Sequence, residues 1–459
     1  MESIDLYKST IPPIIHGKLD HAQGREIQTI DTTNCISVQK VSVAELNHRA
    51  DIFFNKQPSE FLINSEILSC ATDIFLNGNP LSQTFEEYCI AVSKSSLLPV
   101  SSVRKAALHL ARTLETLENK VNFSKRNNSY TLKDLYSTNP PSIGLLQVRK
   151  GNNVSVSLPG NGPGPNIVWV EALFYGYEVI IRPSYRDIYT PLRLIKCLIE
   201  AGVPEEVFSL IFCDYAANDT IIELSDYSLI FGGEVIEQKY KDRKNVKVFG
   251  PGKSVTVVDP DICNRNDLKE IAESVIESGG IACFNTSVLL VTNIRPDFEH
   301  DFVKVLVDAS SNSVQNKQDD RPCYSITEYR ELLSSKLSDS QTKIIYDGST
   351  IINNKKLKAG PIVFTKESLT KSEDILELPF PAVQIYYLKD EDIQGIINKS
   401  LVTSVYSNDY TLLNKILHAR SGGRVFISTK STTDSANLPH DGHLSEFLLY
   451  DRPFIKSIK

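Results

Sequence analysis

The chain lacks the cysteine patterns of zinc proteins and of secreted disulfide scaffolds. Its eight cysteines include no C-x-x-C pair, and no Cys/His cluster has the spacing of a zinc site. Because disulfide-rich chains are typical of oxidising compartments, we expect reduced thiols, a cytoplasmic location and no bound metal.

Long apolar runs and a surplus of positive charge are also missing. No apolar stretch approaches the roughly 20 residues of a membrane-spanning helix. Met1 is not followed by a basic segment with an apolar run behind it, so we predict neither a membrane span nor a signal peptide. The 49 basic and 56 acidic residues give a formal net charge of −7. Such a chain has no overall positive field, so nucleic acid is not expected as a partner.

The composition is that of a globular protein with room for two or three domains. Hydrophobic residues make up 41% and charged residues 23% of the 459 positions, which is ordinary for a packed core with a polar surface. Apolar residues recur at helical spacing before about residue 117, most clearly from Val103 to Leu117. Residues 122–141 and 310–321 are polar and predict loops.

After about residue 145, short apolar segments typical of strands alternate with helical ones. Strands are predicted at 145–150, 153–158, 178–182, 208–212, 226–231, 255–259, 288–291, 343–346, 361–364, 382–388 and 425–428. Helices lie between them, such as the one from Pro191 to Ala201, which Gly202 ends. This alternation indicates parallel, doubly wound α/β sheets, which bind ligands at the carboxyl ends of their strands.

One stretch has the features of a nucleophile site. Cys283 follows a glycine pair that ends a helical run, and the apolar strand Val288 to Val291 comes soon after it. Glycines permit a tight bend that brings backbone close to a substrate. A cysteine on such a bend, among free backbone N–H groups, can have a lowered thiol pKa and act as a nucleophile. The alternative is a buried cysteine that packs as a small hydrophobe.

Several short motifs accompany Cys283 in a fixed order. They are Gly160-Asn161-x-Pro163, Arg182-Pro183-Ser184, Ile230-Phe-Gly-Gly-Glu234, Phe249-Gly-Pro-x-Lys-Ser254, Ala282-Cys283-Phe284, Glu377-Leu-Pro-Phe-Pro381, Leu438-Pro-His-Asp-Gly442 and Tyr450-Asp-Arg-Pro453. In this order they resemble the aldehyde dehydrogenase superfamily, over most of the chain from about residue 145 onward. Within that superfamily the chain is most similar to the LuxC-type fatty acyl-CoA reductases.

The resemblance implies a fold and a division of the chain. The fold would be α/β, with two doubly wound domains and a small β extension for oligomerisation. Residues 1–248 would form the N-terminal region and the dinucleotide-binding domain, with the oligomerisation extension at about 125–155. Residues 249–430 would form the catalytic cysteine domain, and 431–459 a tail packing on the cofactor-binding or oligomerisation region. A homodimer or homotetramer is expected.

The resemblance also implies residue roles. Cys283 would be the nucleophile that takes the acyl group. Asn161 would form the oxyanion hole together with the backbone N–H of Cys283. His440 and Asp441 are candidate acids for the leaving group, although their Pro-His-Asp-Gly segment is more typical of a simple turn.

Six further residues would hold a nicotinamide cofactor. The resemblance places Arg182 at the adenosine ribose or its phosphate, with Ser184 and Arg186 beside it. Gly232 and Gly233 would lie near the pyrophosphate, at the start of a helix. Glu377 matches the glutamate that contacts the nicotinamide ribose, although the prolines and the phenylalanine that follow it alter the motif.

Two departures from the family pattern bear on the chemistry. Phe249 stands where aldehyde-oxidising members carry a glutamate base, and a phenyl ring cannot take a proton from water. Tyr185 and Arg186 follow Ser184, where members selecting NAD often place a glutamate for the ribose hydroxyls. Because arginine recognises phosphate well, NADPH is expected, with NADH as the alternative.

The resulting expectation is an acyl thioester reductase. An acyl-CoA or an acyl-carrier protein would acylate Cys283, and NAD(P)H would reduce the acyl-enzyme to an aldehyde. Three alternatives stay open. They are an aldehyde dehydrogenase working oxidatively, a cysteine-dependent acyltransferase without hydride transfer, and a non-catalytic binding module that keeps the fold.

Overall fold

The computed structural model describes most of the chain as two compact units. The described residues are 10–31, 36–54, 61–125, 129–136, 141–315, 319–338, 341–389, 393–419, 423–430, 438–439 and 441–456. The first unit comprises those up to Gly250, together with 438–439 and 443–456. The second comprises those from Pro251 to Lys430, together with 441–442. The functional division of the chain suggested by the resemblance stays a prediction.

The strands are short and are spread along the whole chain. They are β1 (Thr10–Ile11), β2 (Ile14–Ile15), β3 (Lys18–Leu19), β4 (Glu26–Asp31), β5 (Ile36–Lys40), β6 (Ser129–Tyr130), β7 (Ile143–Arg149), β8 (Asn153–Ser157), β9 (Glu178–Arg182), β10 (Phe208–Leu210), β11 (Tyr227–Phe231), β12 (Val246–Phe249), β13 (Ser254–Val258), β14 (Thr286–Val291), β15 (Cys323–Ser325), β16 (Thr342–Asp347), β17 (Thr350–Asn353), β18 (Lys356–Lys358), β19 (Ile362–Lys366), β20 (Ala382–Tyr387), β21 (Val402–Tyr406), β22 (Arg424–Ile427) and β23 (Leu449–Ile455).

Helices connect most of these strands. They are α1 (Val43–His48), α2 (Ala50–Phe54), α3 (Ser65–Asn77), α4 (Phe85–Ser96), α5 (Val100–Glu115), α6 (Leu117–Ser124), α7 (Leu132–Leu135), α8 (Ile167–Phe174), α9 (Tyr189–Glu200), α10 (Tyr215–Leu224), α11 (Glu234–Tyr240), α12 (Arg265–Ile276), α13 (Phe298–Gln315), α14 (Ile326–Leu337), α15 (Ile393–Ile397), α16 (Tyr410–Leu417) and α17 (Leu444–Leu448). In the described ranges no helix combines the length and the apolar character needed to cross a bilayer.

The first unit is built on a seven-stranded sheet in the order β12-β11-β8-β9-β10-β2-β3. The five strands from β8 to β12 run parallel, and β2 joins β10 antiparallel. Their residues are mostly buried and rich in Val and Ile, as strands covered by helices on both faces require. Strand order reverses between β8 and β11, and this is the point at which doubly wound sheets bind ligands.

Two three-stranded sheets complete the first unit, in the orders β1-β5-β4 and β23-β7-β6. In the second of these, β23 pairs antiparallel with β7 over its whole length, from Leu449 opposite Arg149 to Ile455 opposite Ile143. The extension expected at about 125–155 therefore ends before β8, which belongs to the seven-stranded sheet. Residues 126–128 and 137–140 of that extension lie outside the described residues, and its role in oligomerisation stays a prediction.

The second unit contains another seven-stranded sheet, in the order β16-β19-β20-β14-β13-β21-β22. Strands β19 to β22, with β13 and β14, run parallel, and only β16 is antiparallel to its neighbour within this sheet. Cys283 lies just ahead of β14, at the amino-terminal end of a fully buried central strand. A small sheet in the order β15-β18-β17 packs in the same unit.

Two predicted loops prove to be partly ordered as helix or strand. Residues 122–141 include the end of α6, β6 and α7, where Thr131 N–H and its hydroxyl both donate to the Asp134 carboxylate. Residues 310–315 continue α13, because no glycine or proline stands between Phe298 and Arg321 to end the helix. Local polarity alone misassigned both segments.

Candidate active site

The bend ahead of Cys283 depends on its glycine pair. After α12 ends, Ser278, Gly279 and Gly280 adopt φ values of 54°, 70° and 71°, in the left-handed region that favours glycine. A Cβ on Gly279 would lie 2.2 Å from the Asp320 carbonyl oxygen, and one on Gly280 would lie 2.4 Å from Pro381. Both positions therefore exclude a side chain, and the tight bend itself was predicted from the glycine pair.

Asn285 holds the turn that carries Cys283, and sequence reasoning missed it. Its side-chain oxygen accepts the Ala282 N–H at 2.8 Å, and its side-chain nitrogen donates to the carbonyls of Ser274 and Glu277 at 2.8 and 2.9 Å. The residue is 5% exposed, so these hydrogen bonds lie largely in the interior of the unit. An asparagine two residues after the cysteine is the only local signal, because its partners lie in and just after α12.

The segment from Gly252 to Ser254 contacts both Cys283 and Glu377. A Cβ on Gly252 would lie 1.8 Å from the Cys283 carbonyl oxygen, and the Ser254 hydroxyl donates to that oxygen at 2.8 Å. The Lys253 N–H donates to Glu377 Oε1 at 2.7 Å. The structure thus brings the predicted nucleophile and the predicted ribose-binding glutamate together within the second unit, whereas the other predicted cofactor residues lie in the first.

The expectation of a lowered thiol pKa is wrong for the structure as it stands. Burial and, to a lesser extent, the negative charge of Glu377 raise the pKa of Cys283 to about 12, against an opposing effect of Arg424. Asp441 adds a smaller upward effect, and His440 lies outside the described residues. The backbone pattern around the bend does favour a thiolate, but desolvation and a nearby carboxylate outweigh it.

Neutralising Glu377 should make Cys283 more reactive. In Glu377→Gln the amide oxygen can still accept the Lys253 N–H, but the negative charge facing the thiol is gone. The pKa of Cys283 should fall, so the pH profile of its alkylation by iodoacetamide should move to lower pH, by about one unit. The matched control is Glu373→Gln, whose carboxylate pairs with Lys399 on the surface. Equal profiles for both variants and the wild type would contradict the expectation.

In the first unit, the Asn161 turn packs against the end of β9. The Leu158 N–H donates to the Arg182 carbonyl at 2.9 Å. A Cβ on Gly160 would lie 2.6 Å from the Ser184 hydroxyl and 2.8 Å from the Arg186 side chain. Four of the predicted site residues, Asn161, Arg182, Ser184 and Arg186, are therefore collected at the carboxyl edge of β8 and β9.

Two buried hydrogen bonds of one asparagine side chain stabilise the segment that follows this turn. The Trp169 ring N–H donates to Asn166 Oδ1 at 2.9 Å, and Asn166 Nδ2 donates to the Pro163 carbonyl at 3.0 Å. Both side chains are almost completely buried. Asn166, which makes both bonds, had no predicted role. Asn161, the residue with the predicted role, is exposed.

Arg182 lies between two tyrosines. Its guanidinium carbon is 5.9 Å from the ring centroid of Tyr185 and 5.2 Å from that of Tyr215, and one Nη donates to the Cys213 carbonyl at 3.3 Å. Burial raises the pKa of Tyr185 to about 12, so its hydroxyl is neutral at physiological pH. Arg186 is exposed, and its N–H donates to the Ser184 hydroxyl at 3.2 Å.

The glycine pair after β11 combines one constrained and one open position. A Cβ on Gly232 would lie 2.6 Å from the Ile236 side chain, whereas nothing lies within 4 Å of one on Gly233. Gly232 N–H is already bonded to the Phe249 carbonyl at 3.1 Å. Gly233, next to the start of α11, therefore has room for close approach by a ligand.

Phe249 is a packed hydrophobic side chain. Its ring stacks on Phe231, the residue paired with it across β11 and β12, at 4.6 Å between centroids and 16° between planes. The Lys247 ammonium lies 5.2 Å from the same ring, and Phe249 is 6% exposed. No proton-accepting group is present on this side chain.

The residues of the first unit fit a nicotinamide dinucleotide. Arg182 Nε and the Tyr185 hydroxyl are buried without a hydrogen-bond partner among the described residues, and Gly233 leaves open space. All of them lie at the carboxyl edge of the sheet, near the reversal of strand order. Among the residues that the structure describes, no group of three or more His, Cys, Asp or Glu side chains is placed to hold a metal ion.

The sequence is similar to known proteins over much of its length. The model of the aldehyde dehydrogenase family matches residues 157–445. The non-phosphorylating aspartate-semialdehyde dehydrogenase of Halomonas elongata is 22% identical over 286 residues, which cover 57% of this chain and 56% of that protein. Malonate-semialdehyde dehydrogenase 2 of Oceanobacillus iheyensis is 28% identical over 145 residues, 29% of each chain. The chain therefore spans about half of the first relative and less than a third of the second.

Solved structures match over almost the whole chain. An NAD-dependent aldehyde dehydrogenase of Sinorhizobium meliloti gives a TM-score of 0.74 at 18% identity, covering 97% of this chain and 94% of that one. A 1-pyrroline-5-carboxylate dehydrogenase mutant of Thermus thermophilus gives 0.71 at 14% identity, covering 98% and 93%. A putative methylmalonate-semialdehyde dehydrogenase of Sinorhizobium meliloti 1021, complexed with NAD, gives 0.70 at 16% identity, covering 97% of each chain. These likenesses confirm the predicted α/β fold.

Proposed function

Because the chain belongs to the aldehyde dehydrogenase family, we propose that it reduces an acyl thioester to an aldehyde through an acyl group held on Cys283. The acyl donor is an acyl-CoA or an acyl-carrier protein. Phe249 is the observation that carries the proposal. An oxidising member of the family must hydrolyse its acyl-enzyme, and hydrolysis needs a base that activates water.

The packing of Phe249 supports slow hydrolysis. Its ring is buried in the stack with Phe231, so neither water nor a carboxylate occupies the volume of that side chain. An acyl-enzyme that water does not clear survives long enough to accept a hydride or to exchange with another thiol. This is the behaviour of a thioester reductase, and it agrees with the resemblance to the LuxC-type enzymes.

Residues of the chain supply the nucleophile and its surroundings. Cys283 attacks the thioester carbonyl as a thiolate, and expulsion of the carrier thiolate leaves the acyl group on Cys283. Asn161 is proposed to donate a hydrogen bond to the oxyanion, where such donors typically contribute about 3 kcal/mol to the barrier. When bound, a nicotinamide cofactor supplies the hydride.

The cofactor residues favour NADPH, with NADH as the alternative. Tyr185 and Arg186 follow Ser184, where members selecting NAD often have a glutamate that binds the ribose hydroxyls and would repel a phosphate. The exposed Arg186 offers a planar guanidinium for a 2′-phosphate instead. Arg182, already placed between two rings, is proposed to contact the adenosine ribose, with Ser184 beside it. Gly232 and Gly233 are proposed at the pyrophosphate and Glu377 at the nicotinamide ribose. A homodimer or homotetramer and a cytoplasmic location remain part of the proposal.

The test follows NADPH absorbance with acyl-CoAs of increasing chain length. Consumption that depends on chain length is expected, and the preferred length identifies the substrate class. In parallel, acyl-CoA without cofactor should leave an acyl adduct on the Cys283 peptide that persists for many turnover times, as measured by mass spectrometry. Rapid loss of that adduct to free acid would overturn the argument from Phe249. If no acyl-CoA is consumed, carrier-protein thioesters are tested next.

An oxidative aldehyde dehydrogenase is the second candidate, favoured by the names of the two semialdehyde dehydrogenases that the chain resembles. It predicts that NAD⁺ and a free semialdehyde give acid and reduced cofactor without any added thiol. A reaction that requires CoA in this direction would instead agree with the reductase.

A further inference from the structure

Helix α4 contacts the loop between β9 and α9, which carries Ser184 and Arg186. The Ser95 hydroxyl donates to the Arg186 carbonyl at 2.7 Å and, at a longer distance of 3.2 Å, to the Val92 carbonyl of its own helix. The Arg186 N–H donates in turn to the Ser184 hydroxyl at 3.2 Å. Ser95 and Arg186 are 91 positions apart in the sequence, so this bond joins the N-terminal helices to the ligand-binding edge of the first unit's large sheet.

A second contact from the same helix holds the far end of this loop. The Tyr88 hydroxyl lies 2.8 Å from that of Thr190, whose N–H and hydroxyl donate to the Asp187 carboxylate at 3.0 and 2.7 Å. All three side chains are buried. Because the Thr190 hydroxyl has a single proton and gives it to Asp187, Tyr88 is the donor of the first bond. Tyr88 and Ser95 are about two helical turns apart, so the same side of α4 makes both contacts.

The side chain of Arg186 lies over Gly160, the residue before Asn161. A Cβ on Gly160 would lie 2.8 Å from Arg186 Cβ and 3.2 Å from Arg186 Cδ. Only a residue without a side chain therefore leaves room for the stem of Arg186 at this turn. Arg186 as a whole is exposed, so its backbone and its stem are held while the side chain stays accessible to an anionic ligand.

We propose that Ser95 is a positioning residue for Arg186, and that it thereby determines the preference for NADPH over NADH. A guanidinium binds a phosphate through planar, directional hydrogen bonds, so the strength of binding depends on where the side chain begins. Because Ser95 holds the Arg186 backbone in place, less freedom of movement is lost when a phosphate binds. The inference rests on the proposed function, and specifically on contact between Arg186 and a 2′-phosphate.

The test measures the dissociation constants of NADPH and NADH by the fluorescence of the bound cofactor. The variants are Ser95→Ala, Ser95→Thr, Arg186→Met and the double variant that combines Ser95→Ala with Arg186→Met. The control is Ser93→Ala, which removes a hydroxyl of the same helix that donates to the Leu98 carbonyl and not to the Arg186 loop. No thioester is needed, so the result is independent of whether the protein reduces one.

Loss of the Ser95 hydroxyl should weaken the binding of NADPH selectively. We expect Ser95→Ala to raise the dissociation constant of NADPH about fivefold, as for one hydrogen bond, and to leave that of NADH within about 1.5-fold. Ser95→Thr and Ser93→Ala should keep the wild-type ratio of the two constants. Arg186→Met should reduce the preference about tenfold, and Ser95→Ala should then change the ratio no further, because Ser95 acts through Arg186.

The outcomes separate this inference from the function on which it rests. Equal weakening of both cofactors by Ser95→Ala would show a merely structural role, and a further loss of preference in the double variant would show that Ser95 does not act through Arg186. Either result overturns the inference. An unchanged ratio in Arg186→Met overturns the contact with a 2′-phosphate and the inference together. If the ratios change as expected but no thioester is reduced, the proposed reaction fails while this inference stands.

Discussion

Replacing Cys283 with alanine should lower NADPH consumption with an acyl-CoA by at least about 10³-fold, because loss of a covalent nucleophile typically costs that much or more. The variant should still bind NADPH, since all but one of the residues proposed to bind the dinucleotide lie in the other unit, and that one, Glu377, is left unchanged. Absorbance assays measure the turnover, and fluorescence of the bound reduced cofactor measures the binding.

Cys263→Ala is the matched control for this experiment. Cys263 is also a partly buried cysteine of the second unit, and burial likewise raises its pKa to about 12. It lies between β13 and α12, at the carboxyl end of the sheet, whereas Cys283 lies at the amino-terminal end of β14. Its replacement should leave turnover within about twofold. Undiminished activity in Cys283→Ala would contradict the nucleophilic role and support the alternative that this cysteine only packs as a hydrophobic residue.

Arg193→Met should lower the free energy of unfolding of the first unit by about 3 kcal/mol or more. Arg193 is fully buried in α9, and it donates to the carbonyls of Phe75, Gln83 and Gly78. Its guanidinium carbon also lies 5.2 Å from the ring centroid of Tyr88. Methionine fills a similar volume but leaves these buried carbonyls without a donor, and each typically costs about 1–3 kcal/mol.

Urea unfolding can be followed by the fluorescence of Trp169, which is the only tryptophan in the sequence and lies in the same unit. The control is Lys196→Met, on the same helix, where the lysine pairs with Glu200 near the surface. That change should cost less than about 0.5 kcal/mol. If both variants unfold at the same urea concentration as the wild type, the bonds from Arg193 contribute nothing net.

Sequence reasoning located the residues whose chemistry is local. The Cys283 bend was predicted because a glycine pair can be read directly as a positive-φ turn, and the structure shows that turn. The Arg182 and Ser184 positions were predicted from a strand followed by a short polar motif, and they lie at the predicted sheet edge. Their binding roles remain proposals.

Residues that act over a distance in sequence were not predicted. Asn285 serves Cys283 through bonds to carbonyls of Ser274 and Glu277, and nothing in the sequence names those partners. Arg424 had no signal at all, because only the order β14-β13-β21-β22 brings its strand to the same sheet as the cysteine. The prediction of a loop at residues 310–315 was wrong for a different reason. It relied on the polarity of the segment, although the segment contains no residue that would end the helix.

The sequence by itself determined the chemical groups available to this protein. It specified a cysteine on a glycine bend, a phenylalanine where the resemblance to the family predicts a carboxylate base in oxidising members, and alternating strands and helices that form parallel sheets. The tertiary structure decided the ionisation of Cys283, whose pKa is raised where the local pattern predicted a lowered one. The reason is physical: backbone patterns set nearest neighbours, whereas desolvation and the charges of Glu377 and Arg424 depend on which distant segments the sheet brings together.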